Sequence, residues 1–538
     1  TTTKFTTSQD VLSGGAGVDS ITTGAGNDNV TGGAGNDSIT VAANYTTSDT
    51  IDGGDGTDSI AITGTASATV KPTTITNVEQ VTLTAAAGGA NTLNLASTSG
   101  VSKVTIADGA DVASTVSGLA TGTTVVINEG ADVLQTIDTA AGATLSIDVG
   151  ITQAGTAGVT VTDAVDVTVT GKAATGDIQQ LTLDSVDTTS LSLAATSTND
   201  LHVGAITGTD KVTSLTMTSA ASGGTVEAAT FADADSLTSI TLTGVGGNIE
   251  MDSTIGNSGS AENLATITAT ATGGSNIDLI GAITLDDVDS TTDLTTTITS
   301  SANGTDGTTD STVAFGAITS TYGAINATTS GDGLTTFDAI TAKGITVTGS
   351  GSGGTTLTAV TDTGSFNATF TGSGTNTVTT STATTSTSID GSAATGGNTF
   401  VSTATSNVTI LGGSGADTLT ASGTTASGKV HSVSGGAGND TITGGGGADT
   451  LIGGDGVDSI TAGAGNDSIS GGAGNDTFVF AAGALTGADT VDGGDGTDTA
   501  NITTATSLTG TAKPTLTSVE SVDVEFTAAS KSVDASGM

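Results

Sequence analysis

The feature that most constrains this chain is a nine-residue beat that runs without a break from Gly435. It reads GGAGNDTIT, then GGGGADTLI from Gly444, GGDGVDSIT from Gly453, AGAGNDSIS from Ala462 and GGAGNDTFV from Gly471. Small residues hold the first place, Gly the second and fourth, Asp the sixth, and an apolar residue the eighth. Five units in one register do not arise by chance, even in a Gly-rich chain. Glycine accepts positive φ, so the first half of each unit turns tightly. The second half is a very short strand with one inward apolar side chain. Two units, about eighteen residues, close one coil with a turn at each end, so turns on one side stack at every second repeat.

The same beat opens the chain. After a degenerate start that ends Asp10-Val11-Leu12-Ser13 come GGAGVDSIT from Gly14, TGAGNDNVT from Thr23 and GGAGNDSIT from Gly32. Val41 to Ala43 interrupt it, a degenerate unit ends Asp49-Thr50-Ile51-Asp52, and GGDGTDSIA follows from Gly53. The inward residues there are Ile21, Val30, Ile39, Ile51 and Ile60. In the second array GGSGADTLT from Gly412 precedes a Ser/Thr/Gly insert, Ala421 to Ser434, which reads as a surface excursion. After the five clean units a degenerate unit ends Asp489-Thr490-Val491-Asp492, and GGDGTDTAN begins at Gly493. Both arrays then pass into the same joint, a Lys-Pro pair (Lys71, Lys513) followed by Val-Glu-x-Val at Val78 and Val519. The sixth-place acids are Asp10, Asp19, Asp28, Asp37, Asp49 and Asp58 in the first array, and Asp417, Asp440, Asp449, Asp458, Asp467, Asp476, Asp489 and Asp498 in the second.

Between the arrays the nonapeptide is absent, but an apolar-x-x-apolar-x-apolar pattern recurs. It appears at Val78, Val81, Leu83; at Val101, Val104, Ile106; at Ile178, Leu181, Leu183; at Val212, Leu215, Met217; and at Leu237, Ile240, Leu242. A Gly-Ala-Ile-Thr tag starts at Gly204, Gly281 and Gly316. Alternation at the last three positions, with Gly, Asn and Asp clusters between copies, predicts strands, and sustained helical periodicity is scarce. The expected fold is all-β: a right-handed parallel β-helix or β-solenoid with β-rolls at the arrays. The expected divisions are a roll over 1–62, a Thr-rich β-helix over 63–410, a roll over 411–501 and the start of a second β-helix module over 502–538. Opening TTTKFTTSQD without Met, and ending just after the second joint, the chain reads as a piece of something longer.

Charge decides the chemistry. Nine Lys and no Arg face 54 acids, of which only seven are Glu, for a formal net charge of −45. Short Asp side chains beside Gly suit tight turns that clasp a hard cation. Nucleic acid is excluded as a partner, because phosphate binding needs basic patches. A compact state at this charge repels itself unless counter-ions bind. With no Cys there is neither a disulfide nor a thiolate metal site, and no apolar run is long enough to span a membrane.

Catalytic options are poor, and the expectation is that the chain is not an enzyme. Its two His, His202 and His431, begin no H-E-x-x-H, and no G-x-S-x-G elbow frames a triad. Each His reads as an ordinary strand residue. Tyr45 and Tyr322 are too few for a sugar-stacking platform. Asp55, Asp455 and Asp495 at the third place read as solvated, and Asn27, Asn36, Asn439, Asn466 and Asn475 at the fifth as turn formers.

The nonapeptides resemble those of the RTX (repeats-in-toxin) family, and the whole arrangement resembles RTX-containing bacterial surface-layer (S-layer) proteins. That resemblance implies several Ca2+ ions between stacked turns, held by backbone carbonyls and by the fourteen sixth-place Asp residues named above. It pairs Asp10 with Asp28, Asp19 with Asp37, and Asp37 with Asp58. It further implies type I secretion as an unfolded chain, folding outside the cell, and calcium-dependent self-assembly into a surface layer or filament. The partners it implies are copies of the same chain, with outer-membrane surface glycans as one means of attachment. The rod of a calcium-dependent adhesin, or the non-catalytic RTX portion of a type I-secreted enzyme, are the alternatives.

Overall fold

The structure, a computed structural model, describes residues 2–4, 9–41, 45, 48–63, 69–70, 74–85, 91–108, 113–128, 134–149, 158–171, 175–183, 187–196, 198–231, 235–252, 254–255, 263–285, 295–304, 311–423, 429–482, 484–504 and 513–526. Among the described residues every regular element is a strand, and the strands pair in parallel. No described helix is long and apolar enough to cross a membrane. The chain divides into two compact units, Thr1–Leu264 with Ile277–Gly281 and Ala265–Asn276 with Ala282–Met538. Each is a parallel β-solenoid, as the spacing of the repeats predicts.

In the first unit strands pair coil to coil, most often with the next but one in sequence, and the long strands Gln135–Val149 and Gly158–Gly171 pair directly with each other. Ser20–Thr22 lies on Ser38–Val41, which lies on Ser59–Thr63, then Gln80–Ala85, then Lys103–Asp108. A coil therefore gives one strand to each of two sheets, and a one-residue slip would turn its apolar side chain outward. The register keeps one apolar column intact. It runs Ile21, Ile39, Ile60, Val81, Val104, Val125, Ile147, Val169, Leu193, Met217 and Leu242. No member is more than 2 % exposed, so the eighth place of the nonapeptide and the apolar pattern of the Thr-rich coils are one structural position. Thr82, Thr84 and Thr105 alternate with these residues on the outer face, where β-branched side chains fit a pleated surface.

Apolar columns of the same kind run through the second unit, and two of them pass through the array. One passes through Ile389, Ile410, Val433, Leu451, Ile469 and Val491. The other runs from Phe315 through Phe337, Leu357, Val378, Phe400, Leu419, Ile442, Ile460 and Phe478 to Ala500. Its aromatic members stack where they adjoin, Phe315 on Phe337 with ring centroids 4.8 Å apart. Two of the three Gly-Ala-Ile-Thr tags meet here, Ile283 against Ile318, whereas Ile206 in the first unit stands between Leu181 and Phe231.

The coils differ in what they bury. An array coil buries two large apolar side chains, such as Ile442 and Leu451, worth roughly 1.5–3 kcal/mol each. A Thr-rich coil of the second unit buries Phe337, Ile340, Ile345 and Val347. The arrays are thus the thinly cored parts of both units.

One sequence expectation is corrected. Ala421 to Ser434 is not a surface excursion as a whole, because His431–Ala437 is a strand paired to Asn407–Gly413 on one side and Thr450–Asp455 on the other. Residues 424–428 of the same insert lie outside the described residues, as do Lys71-Pro72, 42–44 and 527–538.

Candidate metal centre

Each sixth-place Asp stands immediately before a strand, and in the clean units it follows the glycine turn. One carboxylate oxygen, Oδ1, accepts the backbone N–H of the acid one coil earlier. Asp19 N–H donates to Asp37 at 2.8 Å and Asp37 N–H to Asp58 at 2.7 Å. On the opposite edge Asp10 N–H donates to Asp28 at 3.0 Å and Asp28 N–H to Asp49 at 2.7 Å. In the second array Asp417, Asp440, Asp458, Asp476 and Asp498 form one row at 2.7–2.9 Å, and Asp449, Asp467 and Asp489 a second at 2.8–2.9 Å. The structure therefore brings all fourteen acids into four rows. Every one is buried except Asp10, which is half-buried.

The other oxygen is the informative one. Oδ2 of Asp37, Asp58, Asp417, Asp440, Asp449, Asp458, Asp467, Asp476 and Asp498 is buried with no hydrogen-bond partner. A buried carboxylate oxygen in that state costs several kcal/mol unless a cation or proton meets it. Burial accordingly pushes the carboxyls of Asp417, Asp440, Asp458 and Asp467 up to about 6, against the opposing pull of the N–H each accepts. The neighbouring acids of the row add to the rise at Asp440, Asp458 and Asp467. Asp58, Asp449 and Asp476 are raised in the same direction, chiefly by burial.

A backbone carbonyl oxygen lies beside Oδ2. A Cβ on Gly453 would fall within 3.0 Å of both Asp458 Oδ2 and the carbonyl oxygen of Gly471 in the next coil. The same pair of oxygens crowds the first-place Gly32, Gly412, Gly435 and Gly471. The first glycine is thus required for the space beside the carboxylate, whereas the second and fourth, such as Gly454 and Gly456, are required for positive φ (+120° and +135°). Among the described residues no three His, Cys, Asp or Glu side chains converge. A cation here would meet an Asp Oδ2 and a first-place carbonyl oxygen side by side, oxygen donors of the kind that suit a hard ion such as Ca2+.

The remaining acids and amides of the turns do other work. Asp55, Asp455 and Asp495 are exposed. Asn36, Asn439 and Asn475 accept the N–H of Thr57, Val457 and Thr497 from the next coil at 2.9–3.0 Å, which pins turn to turn.

Family comparison agrees with this geometry. Residues 6–39, 46–61, 394–423, 432–460, 452–484 and 484–501 match the RTX calcium-binding nonapeptide repeat (4 copies). These segments are RTX calcium-binding repeats. No curated protein matches the chain, and no solved structure matches it. The RTX segments hold all fourteen acids. They also reach back to residue 394, where no nonapeptide is legible.

The reason is visible in the row. Asn398 N–H donates to Asp417 Oδ1 at 2.6 Å, Asn376 N–H to Asn398 Oδ1 at 3.3 Å, and Thr355 N–H to Asn376 Oδ1 at 3.1 Å. An amide oxygen repeats the carboxylate's hydrogen bond without its charge, so the RTX row fades into the Thr-rich coils rather than stopping. His431 likewise stands at a sixth place, its N–H on Asp449 Oδ1 at 3.0 Å. His202 is a half-buried strand residue whose Nε2 lies 3.3 Å from Glu227 Oε1.

Thr23 and Ala462 are exceptions at the first place, so a Cβ stands beside Asp28 and Asp467 where the other clean units leave room. Gly453→Ala is expected to destabilise the calcium-loaded protein by about 2 kcal/mol, and Ala462→Gly to strengthen calcium binding. Calcium titrations followed by thermal melts check both; equal effects of the two substitutions would overturn the assignment of the first-place space.

Proposed function

We propose that this is an extracellular structural protein that folds when it binds calcium and then self-assembles into a surface layer or filament on a bacterial cell. The observation that carries the reading is the row of buried, unpartnered Asp Oδ2 atoms beside carbonyl oxygens. Sixth-place acids packed one above the next make a metal-free array costly, and a divalent cation removes that cost. Asp37, Asp440, Asp458 and their row partners are the residues that hold the ions. Bound calcium supplies positive charge between turns. The chain's own contribution is to set one carboxylate oxygen and one first-place carbonyl oxygen together at each step.

Secretion fits the same chemistry. A chain that stays expanded at cytosolic calcium levels crosses a type I exporter unfolded and folds outside, where calcium is abundant and no disulfide is needed. A structural role is favoured by the outer faces of the solenoids. Thr, Ser and Asn recur on them coil after coil, which offers many similar contacts to copies of the same chain. Negative-stain electron microscopy of the full chain with and without calcium tests the assembly. Ordered sheets or filaments are expected only with calcium. Isolated particles in both conditions would overturn assembly and leave the rod of a calcium-dependent adhesin as the reading.

A further inference from the structure

The rows at one edge of each array do not end on an Asp. Asp58 N–H donates to Glu79 Oε2 at 2.7 Å, and Asp498 N–H to Glu520 Oε2 at 2.7 Å. These are the glutamates of the two Val-Glu-x-Val joints, and both lie beyond the matched repeats, which end at residues 61 and 501. The joint also replaces the glycine carbonyl. A Cβ on Gly53 would fall within 3.0 Å of Asp58 Oδ2 and of the carbonyl oxygen of Asn77; one on Gly493 would meet Asp498 Oδ2 and the carbonyl oxygen of Ser518 in the same way. Within the arrays, that second oxygen belongs to the next coil's first-place glycine, as Gly53 serves Gly32.

Asn77 and Ser518 reach this position only by adopting φ of 49° and 50°, a left-handed conformation that is costly without glycine. Two unrelated residue types share that strain at equivalent sites. Asp58 and Asp498 are themselves 0 % exposed, and each keeps an unpartnered Oδ2 aimed at the joint. Spacing explains why the acid is Glu. Eight residues separate Ile51 from Ile60 in the last array turn, but only five separate Ile75 from Val81 in the joint. The turn is shorter, and the side chain is one methylene longer.

We infer that each joint completes a terminal calcium site that the nonapeptide does not encode, with Glu79 and the Asn77 carbonyl closing the site of Asp58, and Glu520 and the Ser518 carbonyl closing that of Asp498. The inference rests on the calcium reading above. It extends that reading to a motif outside the repeats, which caps the row with a ligand instead of an open carboxylate.

Glu79→Gln with Glu520→Gln in the full chain tests it, because Gln keeps an acceptor for the Asp N–H and removes only the charge. Equilibrium dialysis against Ca2+ is expected to give about two fewer ions per chain, with the circular dichroism spectrum in saturating calcium unchanged. Unchanged stoichiometry and affinity would overturn the inference while leaving calcium binding by the arrays intact. A wild-type chain that binds no calcium would overturn the calcium reading itself. Should the double variant not fold, Glu79→Asp retains the charge but not the reach, and about a tenfold weaker final binding step is expected. Wild-type binding by Glu79→Asp would count against the site.

Discussion

Chelating calcium from the full chain is expected to open both arrays while the Thr-rich coils of the second unit stay folded. Hydrogen exchange is the measurement. The amides of Asp19, Asp37, Asp440, Asp458 and Asp476 are protected by carboxylates of the next coil, and those carboxylates lie buried beside one another. With calcium removed the repulsion along each row has no compensation, and the thin apolar column of an array coil does not outweigh it. The amides around Phe337, Ile345 and Phe366 belong to coils with a fuller core and no acid row, so their protection is expected to survive EGTA. Exchange at Asp440 and Asp458 that is indifferent to EGTA would remove the physical basis of calcium-coupled folding.

Protons are expected to stand in for calcium. Burial raises the carboxyls of Asp417, Asp440, Asp458 and Asp467 from the usual 3.8 to about 6. A carboxyl raised in the folded state favours folding while it is protonated, and that contribution is fully present below about pH 4. It is lost as pH rises through about 6, where the folded array must accept the charge that the unfolded chain already carries. Each group accounts for on the order of 3 kcal/mol across that window. In EGTA the second array is therefore expected to be folded near pH 4.5 and unfolded near pH 7.5. With calcium the order reverses, because ion and proton compete for the same oxygen and calcium affinity falls below about pH 6. Circular dichroism melts over that range, with and without calcium, read the two slopes. A metal-free array that grows more stable between pH 4.5 and 7.5 would show that the Oδ2 atoms are solvated.

How far the sequence could be read depends on where the information sits. A nonapeptide carries its own register, so spacing alone assigns Ile21, Ile39 and Ile60 to the core, and the resemblance to RTX repeats pairs Asp19 with Asp37. The Thr-rich coils are harder because their lengths vary. Val81 and Val104 are legible as strand residues, but only the pairing shows that they continue the column of Ile60. Asn376, Asn398 and His431 were illegible for the same reason. Each occupies the place of an acid without the glycines that announce it, and a residue's position in a row is fixed by its neighbours one coil away. Glu79 and Glu520 are legible as parts of a repeated joint, but their reach to Asp58 and Asp498 depends on a shortened turn whose geometry no local pattern states.

The side-chain hydrogen bonds along each row all point the same way. An amide in one coil is answered by the carboxylate of the coil that follows it in sequence, and the space beside its first glycine is closed by a carbonyl from that same later coil. At the sixth place a coil therefore finishes the one before it and leaves its own amide for the one after, whereas the fifth-place Asn36, Asn439 and Asn475 answer amides of the coil that follows. Growth from the C-terminal end of a row lays each new coil onto a receptor that is already complete. Growth from the N-terminal end advances with an unanswered amide and a half-walled ion pocket at its front. The stack has a grain, like wood, and the two ends of an array are not interchangeable as starting points for its assembly.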